Sequence, residues 1–348
     1  MLEILYQEVE IRLAKINFSQ LWSNFHQYPF ALYNEDQVYY NGQYYKKDQR
    51  FLANTVIEFE NHLVAIWDVS VGLNEDYDVL ASNLVHEMFH AFQKERDEKR
   101  YANELLLLQY PASEENLRMK AIENIELVSV LEGKKESLST FFGLRQKRRS
   151  VIGEFLDEEI KTELIEGGAE FVGTLALQQL DEQKFRARMK DYKTKITRYD
   201  QDFFHVRKLA YYTGTLLFMA MNQLHMTYNQ NLHINENILS RFEDAPQSLN
   251  QVAIRNESAF QHAFDKHTKE RKQLFQTFWN KKSSLIQLSG HIIGFDPMNS
   301  FYQDGIMLCR HFIILEIEQE RKLIHQPVIL QLAANSLKKI NGYYRICD

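Results

Sequence analysis

From Asp78 to about Ser283 the apolar residues recur at helical spacing, and Pro is scarce throughout. That long helical register is the strongest constraint on the fold. Candidate helices cover 78–100, 114–133, 135–150, 154–180, 183–196, 202–226 and 250–283. Residues 36–70 read differently. In QVYYNGQYY an Asn-Gly pair sits between β-favouring residues, a hairpin signal. TVIEFE and HLVAIWDVS follow as two strands around a turn near Asn61. After 283 the short runs GHIIGFDP, HFIILEIE and HQPVILQL are β-like. The expected architecture is α+β and predominantly helical, with a small N-terminal antiparallel sheet and a β-rich C-terminal segment. The expected division is a body over 1–283 (β-rich 36–70, helical 78–283) and a segment over 284–348.

Composition narrows the function classes. A 45% hydrophobic content over 348 residues can bury a sizeable core, so wholesale disorder is excluded. Lys plus Arg is 41 against 47 Asp plus Glu, a net charge of −6, which disfavours a dedicated nucleic-acid binder. The aromatics of YYNGQYY have no basic residues among them and read as sheet packing rather than a stacking platform. Cys309 and Cys347 cannot build a disulfide framework or a four-cysteine zinc site. Glu3, Glu8 and Glu10 interrupt the first apolar run, and Leu209–Met221 is too short to span a bilayer. The expectation is a soluble cytoplasmic protein without a membrane partner.

One tract carries chemistry: Asp78-Val-Leu-Ala-Ser-Asn-Leu-Val-His86-Glu87-Met-Phe-His90-Ala-Phe-Gln. Leu80, Leu84, Val85, Met88, Phe89 and Phe92 define an amphipathic helix that Asp76 or Asp78 can cap. His86 and His90, four residues apart, project from one face about 6 Å apart along the axis. Two imidazoles so placed can bind one Zn²⁺, and Glu87 at the edge of that face can reach a metal-bound water as general base. This is the HExxH pattern. The bland alternative is a pair of satisfied core histidines.

A catalytic zinc needs a third protein ligand. Glu163, Glu166 and Glu170, spaced i, i+3, i+7, put three carboxylates on one helix stripe without interleaved Lys or Arg. Gly167, Gly173 and Thr174 beside them suit close approach of another helix. An amphipathic helix with a solvated acidic face fits the same letters. In HVRKLAYYTG, His205, Tyr211 and Tyr212 are candidate donors to an oxyanion. Arg145, Lys147, Arg148 and Arg149 read as a solvated basic face at a helix end, with a substrate-carboxylate or structural salt-bridge role for one arginine as the alternative. His225, His233, His262 and His267 lack ligand spacing beside an acid.

His86-Glu87-Met-Phe-His90 followed by Glu166-Gly-Gly-Ala-Glu170-Phe resembles the gluzincin zinc metallopeptidases, and in particular peptidase-MA-like bacterial members with an E-G-x-A-x-[YF] second motif. FFGLRQKRRSVIGEFLDEEI and YYTGTLLFMAM look like parts of such families, and the likeness covers about residues 55–225. It implies a zincin-like body, Zn²⁺ as cofactor and a peptide or protein substrate. It makes Glu166 the third ligand and places Glu170 behind a ligand histidine, with Glu163 as the other nearby acid. It favours a Tyr just before Gly214 as the oxyanion donor, so Tyr211 or Tyr212, with His205 behind. It also implies that a strand at His62–Ser70 lines the cleft by its edge; a plain core strand is the alternative. Glu166 follows His90 by 76 positions, so a long helical insertion must fold back between them. The competing readings are a non-catalytic helical binding or regulatory protein with a structural or vestigial zinc site, and a zinc hydrolase acting on a non-peptide amide.

Overall fold

The computed structural model describes residues 1–70, 76–226, 254, 256–334 and 336–346. The chain opens with α1 (Leu2–Leu13) and the single turn α2 (Phe18–Leu21). A five-stranded sheet follows: β1 (Phe30–Tyr33), β2 (Gln37–Tyr40), β3 (Gln43–Lys46), β4 (Thr55–Phe59) and β5 (His62–Asp68), in the order β3-β2-β1-β5-β4. Asn41 and Gly42 have φ of 47° and 79°, and Glu60 and Asn61 have 49° and 63°. Both two-residue turns thus have paired positive φ, as the primed hairpin turns require.

The sheet is mixed, which corrects the antiparallel expectation. β1 pairs with β5 in parallel, Phe30 opposite Ala65 through Tyr33 opposite Asp68. Every residue of β1 is buried, so its FALY run has no alternation to mark it as a strand. Because β1 inserts beside β5, the latter is paired on both sides. Among the described residues the edge nearer the helices therefore belongs to β4, not to His62–Asp68.

The helical body comprises α3 (Tyr77–Glu95), the single turn α4 (Glu104–Leu107), α5 (Glu114–Leu131), α6 (Ser137–Ile152), α7 (Glu154–Leu180), α8 (Glu182–Thr197), α9 (Val206–Gln223) and α10 (Glu257–Asn280). The start of the expected 250–283 helix, together with His233 and Cys347, lies outside the described residues. At the centre is α7, buried around its whole circumference and packed by α3, α6, α8 and α9. It therefore has no solvated acidic face. Trp22 sits edge-on to Phe89, Phe171 and Phe218, one from each of α3, α7 and α9, and ties those helices into one core.

The C-terminal part forms an antiparallel sheet: β6 (Ile286–Phe295), β7 (Ser300–Gln303), β8 (Ile306–Cys309), β9 (Ile313–Ile317), β10 (Glu320–Ile324), β11 (Val328–Leu332) and β12 (Lys339–Arg345), ordered β10-β9-β6-β12-β11-β8-β7. It has its own core of residues such as Leu315, Leu330 and Tyr343, which Leu105 of α4 joins. A 3-10 turn, Pro297–Asn299, meets the start of α9, where the His205 ring and the Met298 carbonyl oxygen lie 3.3 Å apart. No helix among the described residues is long and apolar enough to cross a membrane.

Arg145 and Arg148 overturn the reading of a solvated basic face: they are 1% and 0% exposed. Only Lys147 and Arg149 of that run point outward. Arg148 pairs with Glu123 at 2.6 Å and Glu159 at 2.5 Å, while Arg145 grips Glu163 through both terminal nitrogens. Lys120 adds contacts to Glu123, Glu159 and Glu163 at 3.1, 2.6 and 3.3 Å. Three acids meet three bases in a buried, neutral cluster that fastens α5 and α6 to α7. Although those three carboxylates lie close enough to share a metal ion, the cations already satisfy them.

Candidate metal centre

α3 begins where Asp76 accepts from the backbone N–H groups of Asp78, at 2.9 Å, and Val79, at 3.3 Å. Asp78 instead pairs with Lys184 of α8 at 2.5 Å. The helix turns Leu84, Val85, Met88 and Phe89 into the core and presents His86 and His90 to α7.

Glu166 meets both histidines. The two Nε2 atoms are 3.1 Å apart, and Glu166 Oε2 lies 3.1 Å from His90 Nε2 and 3.8 Å from His86 Nε2. Those edges define a triangle whose circumcentre is about 2.0 Å from each vertex, close to the reach of a zinc–nitrogen or zinc–oxygen bond.

Second contacts fix the protons. His86 Nδ1–H donates to Glu170 Oε2 at 2.9 Å. His90 Nδ1–H donates to Gln93 Oε1 at 2.7 Å, and the Gln93 amide is oriented by its own donation to the Ile165 carbonyl at 3.1 Å. With both protons on Nδ1, both Nε2 lone pairs face the Glu166 carboxylate. In that tautomer three acceptors converge, a donor set that suits a bound cation.

The field around these groups favours positive charge among them, carried by a proton or by a metal ion. Burial opposes charge on His86, yet hydrogen bonds to Glu166 and Glu170 and the charge of Glu87 outweigh it and push its pKa up to about 10. Burial likewise opposes charge on Glu166, but Arg207 and the histidines hold its carboxyl well below the usual range. Glu87 is 7% exposed, and burial pushes its carboxyl up; Glu166 and Glu170 add to this while the histidines oppose it.

The sequence candidates separate here. His86, His90 and Glu166 are brought together, Glu87 lies within their field, and Glu170 stands behind His86. Tyr211 stacks on His86, ring centroids 5.9 Å apart and planes 8° apart. Burial raises its pKa well above the ordinary value, so it keeps its proton and remains a donor. Three candidates are directed elsewhere. Tyr212 packs on Tyr192 and Lys195, with its hydroxyl 3.4 Å from Lys195 Nζ. His205 caps α9: its Nδ1 accepts from the Lys208 N–H at 3.2 Å, leaving Nε2–H to donate to Met298. Glu163 is locked in the Lys120–Arg145 cluster, because an i, i+3, i+7 set spans only about 60° around a helix but about 10 Å along it, so its two ends meet different neighbours.

Arg207 was absent from the sequence candidates. Its Nη2 donates to Glu166 Oε1 at 2.7 Å, and its Nη1 pairs with Glu104. Arg188 lies 3.7 Å from Glu170, which Tyr192 also bonds. The approach of α9 that delivers Arg207 and Tyr211 depends on glycine: a Cβ on Gly214 would stand 2.4 Å from the Glu163 carbonyl oxygen. A Cβ on Gly173 would likewise stand 2.7 Å from the Ser82 carbonyl oxygen of α3.

No family model matches the chain, and no curated protein or solved structure matches it significantly.

Proposed function

We propose that the protein is a cytoplasmic zinc-dependent metallohydrolase of the gluzincin type, with a zincin-like body, that cleaves peptide bonds. The observation that carries this reading is the triangle of His86 Nε2, His90 Nε2 and Glu166 Oε2, sized for one ion. A zinc ion there would lower the pKa of a bound water toward neutrality and polarise a carbonyl. Glu87 takes the proton of the attacking water and delivers it to the leaving amine, a task its burial-raised pKa suits. Tyr211 keeps its proton and donates to the developing oxyanion. Glu170 and Gln93 hold the two imidazoles in the tautomer that points Nε2 inward.

The burial of the site favours a second reading, a structural ion in a non-catalytic helical protein: His86 and Glu87 are each only 7% exposed. Metal content by mass spectrometry, run on wild type beside His86→Ala and Glu166→Ala, tests both. About one zinc per chain that falls in both variants, with chelator-sensitive cleavage of a peptide library, supports the peptidase. Zinc without hydrolysis supports the structural ion. Cleavage of small amides alone would move the substrate class. A wild type that takes up no metal after zinc is added back overturns both.

A further inference from the structure

A cavity, about 550 Å³ in volume, lies between the start of α9, α4, α10 and the turn before β7. Its charged wall residues are mostly paired. Arg207 is shared by Glu104 and Glu166, Lys208 holds Asp202 at 2.6 Å, and Glu270 lies 3.8 Å from Lys266. Two guanidinium groups on the wall are left over. Neither Arg271 nor Arg310 has a carboxylate within ion-pair distance among the described residues. Arg271 is partly buried, and its Nη2 donates to the Tyr302 carbonyl oxygen at 2.6 Å. Burial lowers its pKa with no acid to offset the effect. A desolvated cation without a counter-charge is costly, and an anion relieves that cost.

Other features of the cavity agree. The start of α9, an 18-residue helix, faces it and contributes a positive helix end. His267 Nε2 on the wall is buried without a hydrogen-bond partner, while the Glu104 carboxylate is held by Arg207. An apolar stretch completes the wall: Phe204, which stacks on His267 at 4.4 Å, with Leu108, Leu274, Met298 and Phe301.

We propose that this cavity binds a small organic anion, a carboxylate or phosphate ester with an apolar body, through Arg271 and Arg310. The acidic group meets the two guanidinium groups, and the apolar body lies against Phe204, Phe301 and Leu274. Arg207 is the wall shared with the metal cluster, so the ligand sits on the far side of the group that holds Glu166.

Isothermal titration calorimetry on the full chain tests this with three probes: 3-phenylpropionate, phenyl phosphate and the neutral 3-phenylpropionamide. The expected result is saturable binding of at least one anion, with the amide tenfold or more weaker. Whichever anion binds tighter identifies the ligand as carboxylate or phosphate. Arg271→Gln and Arg310→Gln should each weaken that binding by about tenfold to a hundredfold. The Arg310 side chain is exposed, so its variant reports even if Arg271→Gln misfolds. The same titration on His86→Ala separates this cavity from the metal centre. Retained binding there supports the proposal whether or not the chain hydrolyses peptides. Binding abolished by His86→Ala and untouched by Arg310→Gln would place the anion on the metal and overturn it. So would an amide that binds as well as the acid, or the failure of both anions to bind.

Discussion

Gly167 and Gly168 are neighbours on α7, yet alanine should act on them with opposite sign. A Cβ at Gly167 would stand 2.6 Å from Gly214 Cα, 2.9 Å from its carbonyl carbon and 3.1 Å from the Thr215 nitrogen. All three are backbone atoms of α9, so a change of rotamer gives no relief. Ordinary carbon contact is about 3.5–4.0 Å, so α9 must retreat by about 1 Å. Overpacking of this kind costs about 1–3 kcal/mol, and the gain in helix propensity from Gly to Ala offsets about 1 kcal/mol of it. The net expectation is a loss of about 1–2 kcal/mol, at the unfavourable end because two helix backbones oppose each other. At Gly168 the nearest atom is Phe218 Cε2 at 3.6 Å, followed by Phe89 Cε1 at 3.9 Å. These are ordinary contacts, so the propensity gain remains and Gly168→Ala should stabilise by about 0.5–1 kcal/mol. Urea unfolding followed by circular dichroism reads both changes as opposite shifts of the midpoint at unchanged slope. The same 1 Å retreat would draw Arg207 and Tyr211 away from Glu166 and His86. A chelator competition should therefore show metal held about ten- to a hundredfold more weakly in Gly167→Ala alone. Equal stability of the two variants would refute the close-contact account of α7 and α9. Equal metal affinity would refute the claim that this contact sets the site.

Other expectations follow from the same geometry. Glu87→Gln should keep its metal and lose about 10²–10⁴-fold in turnover of whatever peptide the library yields; wild-type rates would remove Glu87 as the base. Glu163→Gln should unfold at lower urea and loosen metal far less than Glu166→Ala does, because that carboxylate answers to Arg145 and Lys120; a loss of metal as complete as in Glu166→Ala would make it a ligand instead. Arg148→Met leaves Glu123 and Glu159 short of a counter-charge and should cost about 3–5 kcal/mol; a midpoint within error of wild type would mean the cluster contributes nothing. For both acids burial works to raise the pKa, but the neighbouring cations prevail and hold it below the usual range. A carboxylate depressed in the folded state stabilises above its unfolded pKa of about 4.3, and that contribution fades as pH falls through the folded value. Thermal midpoints should therefore drop from pH 5 toward pH 2, and less steeply in Glu159→Gln; parallel profiles would contradict the assignment.

Much of this was legible in the letters where a local rule decides. The Asn41-Gly42 turn, the turn at Asn61 and the limits of α7 follow from turn chemistry and helical period. The tract around His86 was legible because its chemistry needs i, i+4 spacing on one helix. What stayed hidden depends on partners distant in sequence. β1 has no alternation because the sheet buries both its faces. Arg145 and Arg148 look like a solvated run until α5 and α7 supply Glu123, Glu159 and Glu163. Arg207 could have been found only by asking which cation answers Glu166, and its position near the start of α9 gives no sign of that.

The long insertion between His90 and Glu166 gains a physical role from the buried charges. α7 offers carboxylates at two levels along one stripe. Glu163 is held by Arg145 and Lys120 of α6 and α5, while Glu166 and Glu170 face the histidines of α3. A helix pinned by ion pairs at one level cannot rotate to relieve the converging lone pairs at the other, since turning it would strand Glu163 and Arg145 uncompensated in the core. The insertion that supplies α5 and α6 thereby fixes the rotation of α7, and with it the direction in which Glu166 points. On this account the charge cluster is a positioning device for the metal triangle. Weakening it at Arg148, more than 15 residues from any proposed ligand in sequence, should loosen metal binding as well as the fold.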